Sequence, residues 1–322
     1  MFKVILASSL IIMDALCRKY FGRSALLSVT LPAIMVSLSS VIIKKKWVFI
    51  WALPWITISP VIFVKNIFLF VYQSRELQTY FIVLIKMYIL LSFLLPWING
   101  WGFEKNFTSF SWRIMLGLEG DSNYTSAALL VCSMILCLQR LISLRLFTLI
   151  NLIAFALFFS RTAMFVSIIF IVQKYVFKFL NEKTHTRLNY LLLCMVIFLP
   201  ILIMNTDYEN GKIIDLFTSG RFGYWHYLIT GEALYASETY YDQKQAHNAL
   251  FQLIGYLGLF SGTLCFLTLF LVLSNILDRQ YWSQSFVSIT LLQMFLNSFS
   301  ATYYVFWIIG GMFNEKYTRM GK

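Results

Sequence analysis

The sequence predicts an all-α polytopic membrane protein, a bundle of about 10–12 transmembrane helices with one large periplasmic loop. Three observations carry this. Of 322 residues, 59% are hydrophobic and only 12% charged, with mean hydropathy +0.74. A water-soluble domain needs roughly a quarter charged residues to cover its surface. Second, apolar runs of helix-spanning length recur from end to end, where an outer-membrane barrel would show short alternating segments. Third, charge is unevenly distributed between the breaks. The same apolar content excludes a disordered chain.

The apolar stretches lie near 4–16, 25–43, 47–64, 80–98, 124–139, 146–160, 162–180, 190–204, 248–275, 284–298 and 301–313. The first is followed by Arg18-Lys19 rather than a small-residue cleavage site, so it reads as a retained helix. Pro54 and Pro60 suggest a broken helix before the weakly apolar segment 65–79, which leaves the parity of residues 1–80 open. Five scattered cysteines without a CxxC pair indicate neither a zinc site nor a disulfide framework.

Basic residues gather in cytoplasmic loops of membrane proteins, which accounts for the net charge of +12 without nucleic acid. Arg140 and Arg145 flank one inward break; Lys174, Lys178, Lys183 and Arg187 flank another. Two spans lie between, so the Ser160-Arg161 connection faces outward. One more span places 205–247 outside as well. That loop holds Lys212, Arg221 and Lys244 against Asp207, Glu209, Asp215, Glu232, Glu238 and Asp242, a net of −3. The Asp278-Arg279 break and the basic tail fall inside, and 99–123 falls outside. Residues 1–322 thus read as a single transmembrane domain with a smaller (99–123) and a large (205–247) periplasmic loop.

No phosphate-binding glycine loop, HExxH or Asp-x-Asp pair occurs, so neither a metal site nor a cofactor is expected. The residues that stand out are polar groups at the outer face. Arg161, in FALFFSRTAMFV, sits between two apolar spans with almost no loop. It is either a snorkelling arginine or one held at the outer leaflet for an anionic ligand, since a guanidinium can bind two phosphate oxygens at once. Arg221, in TSGRFGYWHYLI, precedes an aromatic segment that reads as an interfacial helix. Helix amides plus arginine would make a phosphate site there. His247, in KQAHNALFQLIGYLGLFSG, stands where the large loop re-enters the membrane, either as an interfacial or capping residue or as a proton-transfer group. Asn248 could cap that helix or bind sugar hydroxyls. Gly255, Gly258 and Gly262 read as close helix packing. In GLEGDSNYTSAALL, Asp121, Ser122 and Asn123 suit a helix start, with Asn123 also placed to line a sugar site. Arg113 adds a cation to that loop. Glu232, Glu238, Asp242 and His226 are candidate bases, and Trp225 is among several loop aromatics suited to an interface belt or to stacking on sugars.

The order GDSNYTSAALL, FFSRTAMFV, SGR with a nearby tryptophan, then AHNALFQLIGYLGLFSG resembles the O-antigen ligase/polymerase superfamily of bacterial inner-membrane glycosyltransferases. The similarity covers roughly 115–275. It implies a metal-independent membrane glycosyltransferase acting on undecaprenyl-diphosphate-linked glycans at the periplasmic face. Arg161, Arg221 and His247 match the family's catalytic positions, with Arg113, Asn123, Trp225, Glu232 and Asn248 as substrate-binding candidates. The implied partners are the lipid-linked glycan as donor and acceptor, membrane lipids, a chain-length regulator and a flippase. The compact, aromatic-rich chain favours polymerisation of O-antigen or a related surface polysaccharide. Ligation of the glycan to lipid A-core is the alternative. A lipid-linked oligosaccharide transporter is the alternative from another class, although transporters place ionisable groups near the midplane.

Overall fold

Short polar side chains set where the helices begin. In the computed structural model, described for residues 75–98, 103–106, 111–114, 118, 122–218, 221–232, 248–260 and 277–295 and for isolated positions at 262–274 and 306–311, nearly all of these residues are helical. The predicted spans 4–16, 25–43 and 47–64 lie outside these residues, as does most of 65–79. The helices are α1 (Arg75–Ile98), α2 (Ser122–Leu138), α3 (Leu144–Phe158), α4 (Arg161–Phe177), α5 (Glu182–Met204), α6 (Tyr208–Thr218), α7 (Phe222–Thr230), α8 (Ala249–Leu257) and α9 (Arg279–Phe295). Ser143 accepts from the Leu146 amide at 3.2 Å, Asn181 from Thr184 at 2.8 Å, and Asp278 from Gln280 and Tyr281 at 3.0 and 3.1 Å. Each satisfies amides that have no partner inside the helix it starts.

The smaller expected loop carries a hairpin. Strands β1 (Phe103–Asn106) and β2 (Ser111–Ile114) pair antiparallel, with Glu104 opposite Arg113.

The chain forms two compact units, 1–66 with 191–276 and 67–190 with 277–322. In the second unit, α2 is the centre. It packs against α1, α3, α4 and α9, and Thr125 to Leu138 are buried without interruption. Near the carboxy end of the chain Gly310 also lies close against α2: a Cβ on it would lie 2.9 Å from Ile135 side-chain atoms. Polar groups are inside. Asn151 of α3 donates to Ser133 Oγ of α2 at 3.0 Å. Gln173 of α4 and Asn189 of α5 both donate to the Ser283 carbonyl of α9, at 3.0 and 2.7 Å. Trp307 Nε1 donates to Ser285 Oγ at 2.9 Å. Ser283, Gln284, Ser285, Ser288 and Thr290 of α9 are all buried.

Large apolar side chains lie outside. Val83, Leu84, Met87, Leu90, Leu91 and Leu94 of α1 form an exposed stripe at helical spacing, and Leu191, Met195, Phe198 and Leu202 form another on α5. Gln78–Leu95 and Lys183–Met204 are long and apolar enough to cross a membrane, and less than a quarter of each is buried. A core helix of a water-soluble protein would be mostly covered. Surface of this kind requires an apolar neighbour. Pro200, inside α5, removes one backbone hydrogen bond near its end.

In the first unit, α6, α7 and α8 pack together, α7 touching both of the others. The expected continuous span over 248–275 is interrupted. Gly258, at φ 83°, closes α8 with its N–H on the Ile254 carbonyl. An added Cβ on Gly262 would lie 2.6 Å from Ile254 backbone atoms, so the chain beyond the break lies directly on α8. Of the three glycines, Gly255 fits helix packing, Gly258 supplies the positive-φ backbone that ends α8, and Gly262 admits this close return.

Candidate functional site

Arg161 is positioned by a two-residue corner. Phe159 ends α3 in the left-handed region (φ 51°, ψ 39°), its N–H on the Phe155 carbonyl. Ser160 then starts α4, its Oγ accepting from the Ala163 amide at 3.5 Å. Arg161 is thus the first residue of α4, and it is exposed. A cation at a helix amino end opposes the helix dipole by ~0.3–1 kcal/mol. The arginine therefore does not serve helix stability.

Arg221 stands one position earlier relative to α7: it is the residue before the first turn, half-buried, and makes no capping bond through its side chain. The capping acceptor comes from another helix. Asp215 Oδ1, in α6, accepts from the Phe222 amide at 2.6 Å and the Gly223 amide at 3.2 Å. The amide pair expected to await a phosphate beside Arg221 already holds a carboxylate. Sequence reading counts Asp215 only as a loop charge. Its separation from the amides it caps is too long for a local capping motif, so no sequence signal marks it.

Asn248 caps α8. Its Oδ1 accepts from Leu250 and Phe251 amides at 2.9 and 3.2 Å, and the residue is fully buried. Its Nδ2 has no hydrogen-bond partner among the described residues. His247, the residue before it, lies outside the described residues.

Two contacts show that α7 and α8 advance in the same sense. Trp225 stacks on Phe251, ring centroids 5.0 Å apart at 28°. Three residues on along α7 and four along α8, Leu228 meets Gly255, where an added Cβ would lie 2.7 Å from Leu228 Cδ2. Contacts that advance together on both helices mean matched directions. The amino ends of α7 and α8 therefore lie side by side, bringing Arg221 and Asn248 to one end of the pair. Two positive helix ends and a guanidinium together favour an anion.

The other predicted residues fall elsewhere. Trp225 is a packing residue: it is 6% exposed and Phe251 covers its ring, so it offers no open face to a sugar. His226 is buried, its Nδ1 3.2 Å from Thr230 Oγ1 and 3.3 Å from the Glu232 carbonyl, which ties it to the carboxy end of α7. Glu232 is exposed beyond that end, separated from Arg221 by the length of α7, about 13 Å. Asn123 is half-buried in the first turn of α2, and Arg113 lies on β2. Arg113, Asn123 and Arg161 belong to the second unit; Arg221, Trp225, Glu232 and Asn248 to the first. Among the described residues no three of His, Cys, Asp and Glu gather as metal ligands.

Comparison of the chain with protein-family models, curated proteins and solved structures gives no match.

Proposed function

We propose that the chain is a polytopic inner-membrane glycosyltransferase that polymerises undecaprenyl-diphosphate-linked oligosaccharide repeat units on the periplasmic face. The observation that carries this reading is the paired amino ends of α7 and α8, with Arg221 and Asn248 at one end of the pair. The exposed apolar stripe on α1, in the unit whose interior holds buried serine, asparagine and glutamine, and the separate exposed stripe on α5 support lipid as the surrounding solvent.

In this reading an acceptor sugar hydroxyl attacks the anomeric carbon of the donor glycan. The carbon–oxygen bond to the diphosphate breaks, and undecaprenyl diphosphate leaves with the electron pair. Negative charge grows on the leaving oxygens, where Arg221 and the helix ends stabilise it more in the transition state than in the ground state. Arg161 adds a cation on the face that loop charge assigns to the periplasm. The hydroxyl proton passes to a base, for which His247 is the first candidate and a loop carboxylate the second.

Lipopolysaccharide gels of a deletion strain test the reading. A core bearing a single repeat unit is the expected result. A bare core with long lipid-linked polymer would instead assign ligation, and loss of all periplasmic repeat units would assign transport. Alanine at Arg221 or His247 should reproduce the deletion pattern, and a normal ladder from both would refute the site.

A further inference from the structure

The best-formed anion contact among the described residues of the first unit is internal. Asp215 holds the first and second amides of α7, a nine-residue helix, from a position in α6. Beside it, Asn248 presents a complementary oddity. Its oxygen is engaged by α8's own amides, while its Nδ2 is buried and lacks a partner among the described residues. The two polar atoms of a carboxamide diverge from one carbon, so Nδ2 is directed away from the first turn of α8, off its amino end. That end lies beside the amino end of α7. A buried N–H without an acceptor is costly, and an incoming oxygen would satisfy it.

We propose that the α7 amino end and Asn248 form a seat for phosphate oxygens, and that Asp215 is its resident carboxylate, displaced when the ligand binds. The inference rests on the reading that Arg221 receives the donor's diphosphate, and it specifies how. Carboxylate and phosphate compete for the same main-chain donors. A diphosphate brings more oxygens and more charge than a carboxylate, so it gains more from two helix ends and a guanidinium. If the Asp215 carboxylate stayed on the amides it would repel the newcomer; exchange removes that repulsion. Ligand entry and movement of α6 relative to the start of α7 are thereby linked.

Calorimetric titration of the purified full chain in detergent with inorganic pyrophosphate, at fixed ionic strength, tests the exchange. Asp215→Asn keeps a capping acceptor but removes the competing charge. It should bind pyrophosphate about tenfold more tightly than the unaltered chain. Asn248→Ser keeps a capping oxygen at the start of α8 and removes the unpartnered donor without adding charge. It should bind pyrophosphate more weakly than the unaltered chain while still unfolding cooperatively. Equal or weaker binding by Asp215→Asn, with affinity still dependent on Arg221, would overturn the exchange and leave the Arg221 reading standing. Binding that Arg221→Ala does not alter, in either background, would overturn that reading and the exchange with it.

Discussion

Gly255 is where the parallel docking of α7 on α8 can be broken with a single side chain. A Cβ there would lie 2.7 Å from Leu228 Cδ2, while the next atoms, Cγ and Cδ1, are at 3.6 and 3.7 Å. Only the tip of a flexible side chain is in the way. Gly255→Ala therefore asks Leu228 for a rotamer adjustment of ~0.5–1.5 kcal/mol. It returns ~0.8–1.0 kcal/mol of helix propensity inside α8. The two nearly cancel, and the melting temperature should barely move. Gly255→Leu has no such balance. Four carbons must enter a contact already filled by Leu228, beside the Trp225–Phe251 stack. Overpacking of this kind costs ~1–3 kcal/mol and pushes the α7 amino end, with Arg221, away from Asn248. The assay pairs thermal unfolding in detergent with the lipopolysaccharide ladder. Gly255→Ala should be near neutral in both, and Gly255→Leu should shorten the ladder. Leu228→Ala combined with Gly255→Leu should recover part of the loss, because the exchanged volume refills the same contact. A full-length ladder from Gly255→Leu alone would refute the argument that this docking builds the site.

Further outcomes follow from the same geometry. Arg161→Ala should leave thermal stability unchanged or slightly higher, since a cation leaves a positive helix end, while glycan transfer falls; a matching loss of stability would make Arg161 structural. Asn151→Ala removes the bonds to Ser133 Oγ and the Phe147 carbonyl and should lower stability by ~1–3 kcal/mol in chemical denaturation; no change would mean that the α2–α3 contact does not depend on it. Spin labels at Phe198 and Leu202 should be relaxed by oxygen and shielded from a water-soluble nickel reagent, and the reverse pattern would place that face of α5 in water or protein.

What the sequence made legible is what depends on local chemistry. The turn at Arg161 follows from one charge between two apolar runs, while the cap that Ser160 supplies there appears only in the structure. Helix α2 begins within the predicted GDSN start, and the residue after Arg221 begins α7. Other features depend on contacts that no local pattern encodes. The Asp215 cap joins residues on two helices. Trp225 looks like an interface aromatic until Phe251 is seen against it. Gly258 lies in an apolar run without proline, so its break resembles a packing glycine. Helix α5 starts at Glu182, well before the apolar run near 190, because the charged first turns are continuous with the span. The β-hairpin in 103–114 has no strong alternation to announce it.

The central claim is that a guanidinium at the start of α7 stabilises a departing diphosphate, and its most direct test is a transfer reaction with purified protein and a lipid-linked repeat unit. Arg221→Ala should lower kcat on the order of 10²–10³-fold, with Arg221→Lys recovering only part of it because a point charge cannot match two oxygens. An Arg221→Ala protein that folds normally and turns over within about twofold of the unaltered chain would contradict the account.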